Sequence, residues 1–182
     1  LVNLPSRVID PGNTRPLPFS AETLAMKKDA LPRTRGISLP GPGHRHGRPP
    51  PVPSSSLVTT GMSGSERFDA WRASVAAIFS CEPRAPEEID GFVARVTAFD
   101  LGSVLFAESA ASGQRFVRSE RLIRSTDIDH LMIQWYRRGG YRGMHAGDDV
   151  TVSPGDVSVL DLSRPFKTRI AGDHFHNCNI FI

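Results

Sequence analysis

Between Gly91 and Ile182 the chain never runs far without a turn signal, and this punctuation limits what it can fold into. Asp100 and Gly102, Gly139-Gly140, Gly147-Asp148-Asp149 and Pro154-Gly155-Asp156 each break it. Glycine and proline supply dihedrals that other residues resist, and Asp bonds the local backbone. The intervening stretches, such as 92–99, 103–110, 129–136, 157–160, 166–170 and 174–182, are β-rich and roughly alternate polar with apolar. About eight short strands at ~8–12-residue spacing predict an antiparallel sandwich or barrel. No second helix is expected between the strands, which argues against a parallel α/β sheet.

One helix is expected ahead of the strands. Ser63 followed by Glu66 fits a capping box. Phe68, Trp71, Val75, Ile78 and Phe79 then recur at helical intervals, the apolar stripe of an amphipathic helix. Cys81-Glu82-Pro83 should end it, because the residue before a proline is pushed out of the α region. Residues 84–90 read as a polar connector.

Upstream the composition changes. Residues 1–60 hold 11 of the 15 prolines and neither Trp nor Tyr. Residues 1–61 are therefore expected to be a disordered Pro/Gly/Arg-rich segment, too poor in apolar surface to offset its ordering entropy. His44 and His46 form an H-x-H, but a Pro/Gly tract gives no rigid frame for a metal. The chain opens on Leu1, which fits a fragment or a start that belongs at Met26 or Met62. The net charge of +3 divides unevenly along the 182 residues. Residues 1–60 carry 8 Lys+Arg against 3 Asp+Glu, and residues 61–182 carry 14 against 16. The part expected to fold, residues 62–182, thus has no net positive field to attract nucleic acid.

Cys81 and Cys178 are too few for a disulfide scaffold and form no C-x-x-C motif, so two reduced thiols are expected. No apolar run approaches the ~18 residues of a membrane span, and the first residues lack a signal-peptide core. A cytoplasmic protein with no membrane contact is the expectation. No P-loop, G-x-G-x-x-G or G-x-S-x-G occurs.

Candidate site residues follow from strand alternation. Ile133 and Trp135, with His174 and His176, are taken as inward positions lining a ligand pocket. His174 and His176 share a face, a spacing compatible with metal ligation, although a ligand-facing or solvated wall is the plainer reading. Arg115, Arg118, Arg121 and Arg124 fall at every third residue and read as charges that guard an exposed edge. The run 147–166 reads as two hairpin corners, one at Pro154, Gly155 and Asp156, the other at Ser163, Arg164 and Pro165.

Here the sequence resembles a known family, the cupin-type sensor domain of AraC-type transcriptional regulators. The resemblance runs from about Phe68 to Ile182. It includes the helix around Phe68 and Trp71, Leu101-Gly102, and Arg124-Ser125-Thr126 ahead of the strand through Trp135. It also includes Gly139-Gly140 and, most specifically, Ser153-Pro-Gly-Asp156 through Leu160-Asp161 to Ser163-Arg164-Pro165-Phe166. The resemblance implies a mainly β, cupin-like double-stranded β-helix, a jelly-roll barrel that binds a small-molecule effector and forms a homodimer. It implies no catalysis and no cofactor. DNA contact in such regulators belongs to a helix-turn-helix domain, and no helix-turn-helix candidate occurs in this chain, which reads as cut off after Ile182. The usual metal-binding cupin pattern is missing: Ser158 stands where a His is expected, and only His145 precedes the turn. A stand-alone cupin enzyme or metal-binding protein is the competing class.

Overall fold

The computed structural model describes residues 51–182, and the Pro/Gly tract through residue 50, with His44 and His46, lies outside the described residues. Eleven strands and two α-helices follow one another. In chain order they are β1 (Ser54–Val58), α1 (Gly64–Val75), β2 (Ser80–Pro83), β3 (Ala94–Asp100), β4 (Leu105–Ser112) and β5 (Gln114–Arg118). Then come α2 (Glu120–Thr126), β6 (Leu131–Arg138), β7 (Tyr141–His145), β8 (Asp148–Val152), β9 (Val157–Asp161), β10 (Phe166–Ile170) and β11 (His174–Phe181).

The strands form a six-stranded sheet in the order β1-β3-β4-β11-β6-β9 and a five-stranded sheet in the order β2-β5-β10-β7-β8. Eight of them, β4-β11-β6-β9 against β5-β10-β7-β8, have the neighbour order of a two-sheet jelly roll. Every pairing is antiparallel. The core lies between the sheets, and α1 adds Phe68, Trp71 and Val75 to it.

The chain turns at both corners. Gly155 has φ of 95°, its N–H donates to Tyr136 O at 2.7 Å, and Asp156 Oδ2 accepts from the Ser153 N–H at 2.8 Å. At the second corner Asp161 Oδ1 accepts from the Ser163 N–H (2.8 Å) and hydroxyl (2.6 Å), which hold its carboxyl below the ordinary range. The Arg164 N–H donates to Asp161 O, and Pro165 O accepts from Ala146 N–H. The Gly139-Gly140 hairpin needs its glycines. Gly140 has φ of 140°, and a Cβ there would stand 2.1 Å from Val152 O.

Three expectations are corrected. Residues 1–61 were expected to lack structure, yet Ser54–Val58 pairs along β3 from Ser54↔Phe99 to Val58↔Arg95. This strand has one buried residue, Leu57, and owes its order to its partner's ladder rather than to its own apolar pattern. The capping box is present, with Ser63 N–H and Oγ both donating to Glu66 Oε2, but α1 stops at Val75. Ile78 and Phe79 follow in a turn bonded to Val75 O, and Ser80–Pro83 leaves as a strand. A second helix does interrupt the strands: α2 is capped by Ser119, whose side chain accepts from Leu122 N–H at 3.3 Å.

Candidate functional site

β4, β6 and β11 alternate so that one face of each turns into the barrel. On β11 the inward residues are Phe175, Asn177, Asn179 and Phe181, all buried. On β6 they are Met132, Gln134 and Tyr136, and on β4 they include Ser109. The register sets Asn179 beside Gln134, and Asn177 beside both Tyr136 and Ser109.

These neighbours form a neutral hydrogen-bonded cluster. Gln134 Nε2 donates to Asn179 Oδ1 at 2.8 Å, and Asn179 Nδ2 donates to Asn177 Oδ1 at 3.0 Å and Ser109 Oγ at 3.5 Å. Burial pushes the Tyr136 phenol far up, with Tyr141 adding to the shift and a hydrogen bond with Asn177 opposing it. The cluster borders a cavity of about 30 Å³, room for roughly two water molecules. Rings enclose its remaining sides. Phe116 and Phe175 meet at 5.9 Å edge to face, and Phe79 stacks edge-on against Phe116 at 5.0 Å and Phe166 at 5.9 Å. Trp71 and Val75 of α1 close the box, and Trp71 Nε1 donates to Gln114 Oε1 at 2.7 Å, tying the helix to β5. Every lining residue is buried except Phe79, which is half-buried. No Asp, Glu, Lys, Arg or His lines it.

The expected pocket residues lie on the opposite face. Trp135 is 45% exposed, His174 is exposed, and Ile133 and His176 are half-buried on the outer side of the six-stranded sheet. The correction is one residue of parity: with a side-chain period of two, a one-residue slip sends the whole set outward. His174 and His176 do share a face, but His176 Nε2 sits 2.6 Å from Glu108 Oε1, with Arg137 Nη1 3.6 Å from the same oxygen. Among the described residues no three His, Cys, Asp or Glu side chains stand where they would share a metal ion. Ser158 lies near Tyr141, whose phenol burial holds above its ordinary range.

Arg118 also departs from expectation. It is fully buried instead of guarding an edge. Its guanidinium donates to Leu162 O (2.6 Å), Ile78 O (2.5 Å), Ile128 O (2.8 Å) and Ala77 O (3.4 Å). Desolvation lowers its pKa to about 10. Arg121 and Arg124 are exposed on α2, and Arg115 is half-buried. No helix among the described residues is long and apolar enough to cross a membrane.

The family described as the AraC-binding-like domain matches residues 68–178. An uncharacterized protein encoded in a nit 5′ region of Bacillus sp. (strain OxB-1) is 26% identical over 110 residues, 60% of this chain and 43% of its own length. The crystal structure of the AraC-like transcriptional activator CuxR superposes with a TM-score of 0.65 at 24% identity, over 71% of this chain and 47% of that one. A cupin 2 conserved barrel domain protein from Rhodopseudomonas palustris overlaps 57% of this chain and 70% of its own at 12% identity, with a TM-score of 0.38. The chain spans somewhat under half the length of the first two proteins. The match takes in most of α1 and the jelly roll into β11, and the chain therefore belongs to the AraC-binding-like domain family.

Proposed function

We propose that this barrel is the effector-sensing and dimerisation domain of an AraC-type transcriptional regulator, and that it is not catalytic. In this reading a small uncharged molecule enters beside Phe79 and replaces the contacts that α1 makes with the cavity. DNA is contacted by a separate helix-turn-helix domain. The observation that carries the reading is the buried cluster of Ser109, Gln134, Asn177 and Asn179. Leu or Val there would pack with no polar group to satisfy, whereas amides and a hydroxyl are tolerated in such a place only while they keep hydrogen-bond partners. Polar groups gathered at a cavity wall are what recognition of a ligand would use, and this supports the reading.

The lining also supports a class of effector. Amides offer donors and acceptors, and the rings offer apolar contact. A carboxylate or phosphate would be buried with no cation beside it, at a cost of several kcal/mol. The cavity as it stands admits only small molecules, so an effector of any size requires Phe79 and Trp71 to move. That movement couples occupancy to the outside of the barrel, a shift between two arrangements.

The test uses neutral aromatic amides and alcohols with their carboxylate counterparts, benzamide against benzoate first. Benzamide at millimolar concentration should shift the Trp71 indole and the Asn177 and Asn179 side-chain NMR resonances, and benzoate should not. The Gln134→Leu/Asn179→Leu variant should lose the response. Equal binding of benzoate, or no response at these residues from any neutral member, would count against the reading.

A further inference from the structure

We propose that the outer face of the six-stranded sheet carries a site for a small dianion, a phosphate monoester or a dicarboxylate, in a notch over Ala110 between β3 and β11. The site stands apart from the sensing reading, because the barrel cavity lies on the other face of the same strands and has no charged lining. One row of cross-strand neighbours on the outer face runs Val58, Arg95, Ala110, His176, Arg138 over five strands.

β4 makes the floor of the notch. Its outward residues are Phe106, Glu108, Ala110 and Ser112, so the side chains shrink toward the end of the strand. Arg95 on β3 and His176 on β11 stand on either side of Ala110. Cross-strand neighbours place their Cβ atoms about 5 Å apart, so these two walls are separated by roughly 10 Å. In the next row His174 stands opposite Ser112. The open groove bounded by these residues has a volume of about 620 Å³, the size of a small-ligand site.

The groove has donors to spare and few acceptors. Arg95 and Arg138 are exposed, and among the described residues neither is in an ion pair. The two acids nearby are already engaged. Asp173 Oδ1 lies 3.0 Å from Arg84 Nη2, and Glu108 Oε1 lies 2.6 Å from His176 Nε2 and 3.6 Å from Arg137 Nη1. Ser112 Oγ accepts from the Val93 N–H at 3.1 Å, which leaves its O–H as a donor, and the His174 ring offers another. Guanidinium forks match phosphate and carboxylate oxygens in pairs. The two arginines stand at opposite ends of the row, about 15 Å apart at Cβ, a span their side chains can close from both ends. A ligand held by both needs more than one anionic oxygen pair, which favours a dianion over a monoanion.

A break in the strand pairing supplies the second arginine. Asn177 faces Tyr136 while His176 faces Arg138, so Arg137 is the extra residue of a β-bulge. Plain alternation would set Arg137 opposite His176 and turn Arg138 toward the core. The bulge leaves both exposed and brings Arg138 into the row, the kind of re-aiming that bulges provide beside binding sites.

The experiment is an NMR titration of the full 182-residue chain with phenyl phosphate, succinate and acetate at constant ionic strength, read at the arginine Nε and histidine ring signals. At least one dianion should give saturable shifts at Arg95, Arg138, His174 and His176, and the tighter of the two identifies the ligand class. Acetate should bind at least roughly tenfold more weakly, having one charge to place between two guanidiniums. Arg115, Arg169 and Arg142 are also cross-strand neighbours, on the outer face of the other sheet, in a row with no small residue to open a notch. Their signals should drift without saturating. Ala110→Leu fills the notch with no change of charge and should weaken dianion binding roughly tenfold or more by steric exclusion. Arg95→Gln, at an exposed position, should weaken it several-fold with the thermal midpoint held, and carries the test if Ala110→Leu fails to fold. Unsaturated shifts from every anion, acetate binding as tightly as the dianions, equal saturation at Arg142 and Arg169, or an affinity indifferent to the folded variants overturns the site.

Discussion

Arg118 is a cation whose hydrogen-bond partners are all carbonyls. Three segments meet at its guanidinium: the turn after α1 through Ala77 and Ile78, the link from α2 to β6 through Ile128, and the corner after β9 through Leu162. Carbonyl dipoles compensate its desolvation only in part, which is why its pKa falls to about 10, and it stays protonated at neutral pH. Arg118→Met keeps much of the volume but leaves buried carbonyls unpaired, at ~1–3 kcal/mol for each that finds no new partner. Relief of the buried charge offsets part of this, so a net loss of about 2–4 kcal/mol is expected in urea unfolding. Arg118→Lys should not restore it, because a single ammonium cannot reach carbonyls spread around a planar fork. The sequence concealed this residue among arginines at every third position. That spacing describes an exposed edge as well as it describes three different environments, and the environment depends on which segments return to the same place.

The alternation of β11 is plain in the sequence, but its phase is not. His174, His176, Cys178 and Ile180 make one set, and Phe175, Asn177, Asn179 and Phe181 the other. Both sets mix polar with apolar, so hydrophobicity does not decide which faces inward. The histidines attract attention as ligands, while asparagines look like surface residues. Tertiary pairing decides: Asn179 meets Gln134, and each satisfies the other. This mutual dependence is testable. Asn179→Leu alone leaves the Gln134 amide buried without its acceptor and should cost ~1–3 kcal/mol, as should Gln134→Leu. The double variant removes both partners and should cost less than the sum by 0.5 kcal/mol or more, roughly the coupling of a buried contact pair. Strict additivity in chemical denaturation would show that the amides are independently solvated. The helix α2 and the strands β1 and β2 were missed for a related reason. They are four to seven residues long, too short for a period to register, and β1 and β2 are fixed by β3 and β5.

At the scale of the whole molecule the turn spacing was enough to give an antiparallel sandwich or barrel, since eight short strands with Gly and Pro corners have few other ways to pair, and the family resemblance narrowed this to a jelly roll. What spacing cannot carry is how the one long helix is coupled to the barrel. α1 touches the cavity through Trp71 and Val75, and Phe79 follows at its end. Trp71 Nε1 holds it to Gln114 on β5, and the carbonyls just past its C-terminus meet the guanidinium of Arg118, which also holds Leu162 beside β9. Cavity, helix and the corner after β9 thus form one contiguous chain of contacts. If α1 is the element that moves, its opening should cost less than global unfolding and should depend on the Trp71–Gln114 bond. Gln114→Met leaves the indole N–H with a weak acceptor, and a buried donor so deprived loses ~1–3 kcal/mol. Hydrogen exchange of the α1 amides should then quicken roughly 5- to 100-fold, while the paired amides of β4 and β11 keep their protection. An equal rise across both sheets would mean that the helix opens only with the whole barrel. Occupancy of the cavity would then have no separate element through which to act.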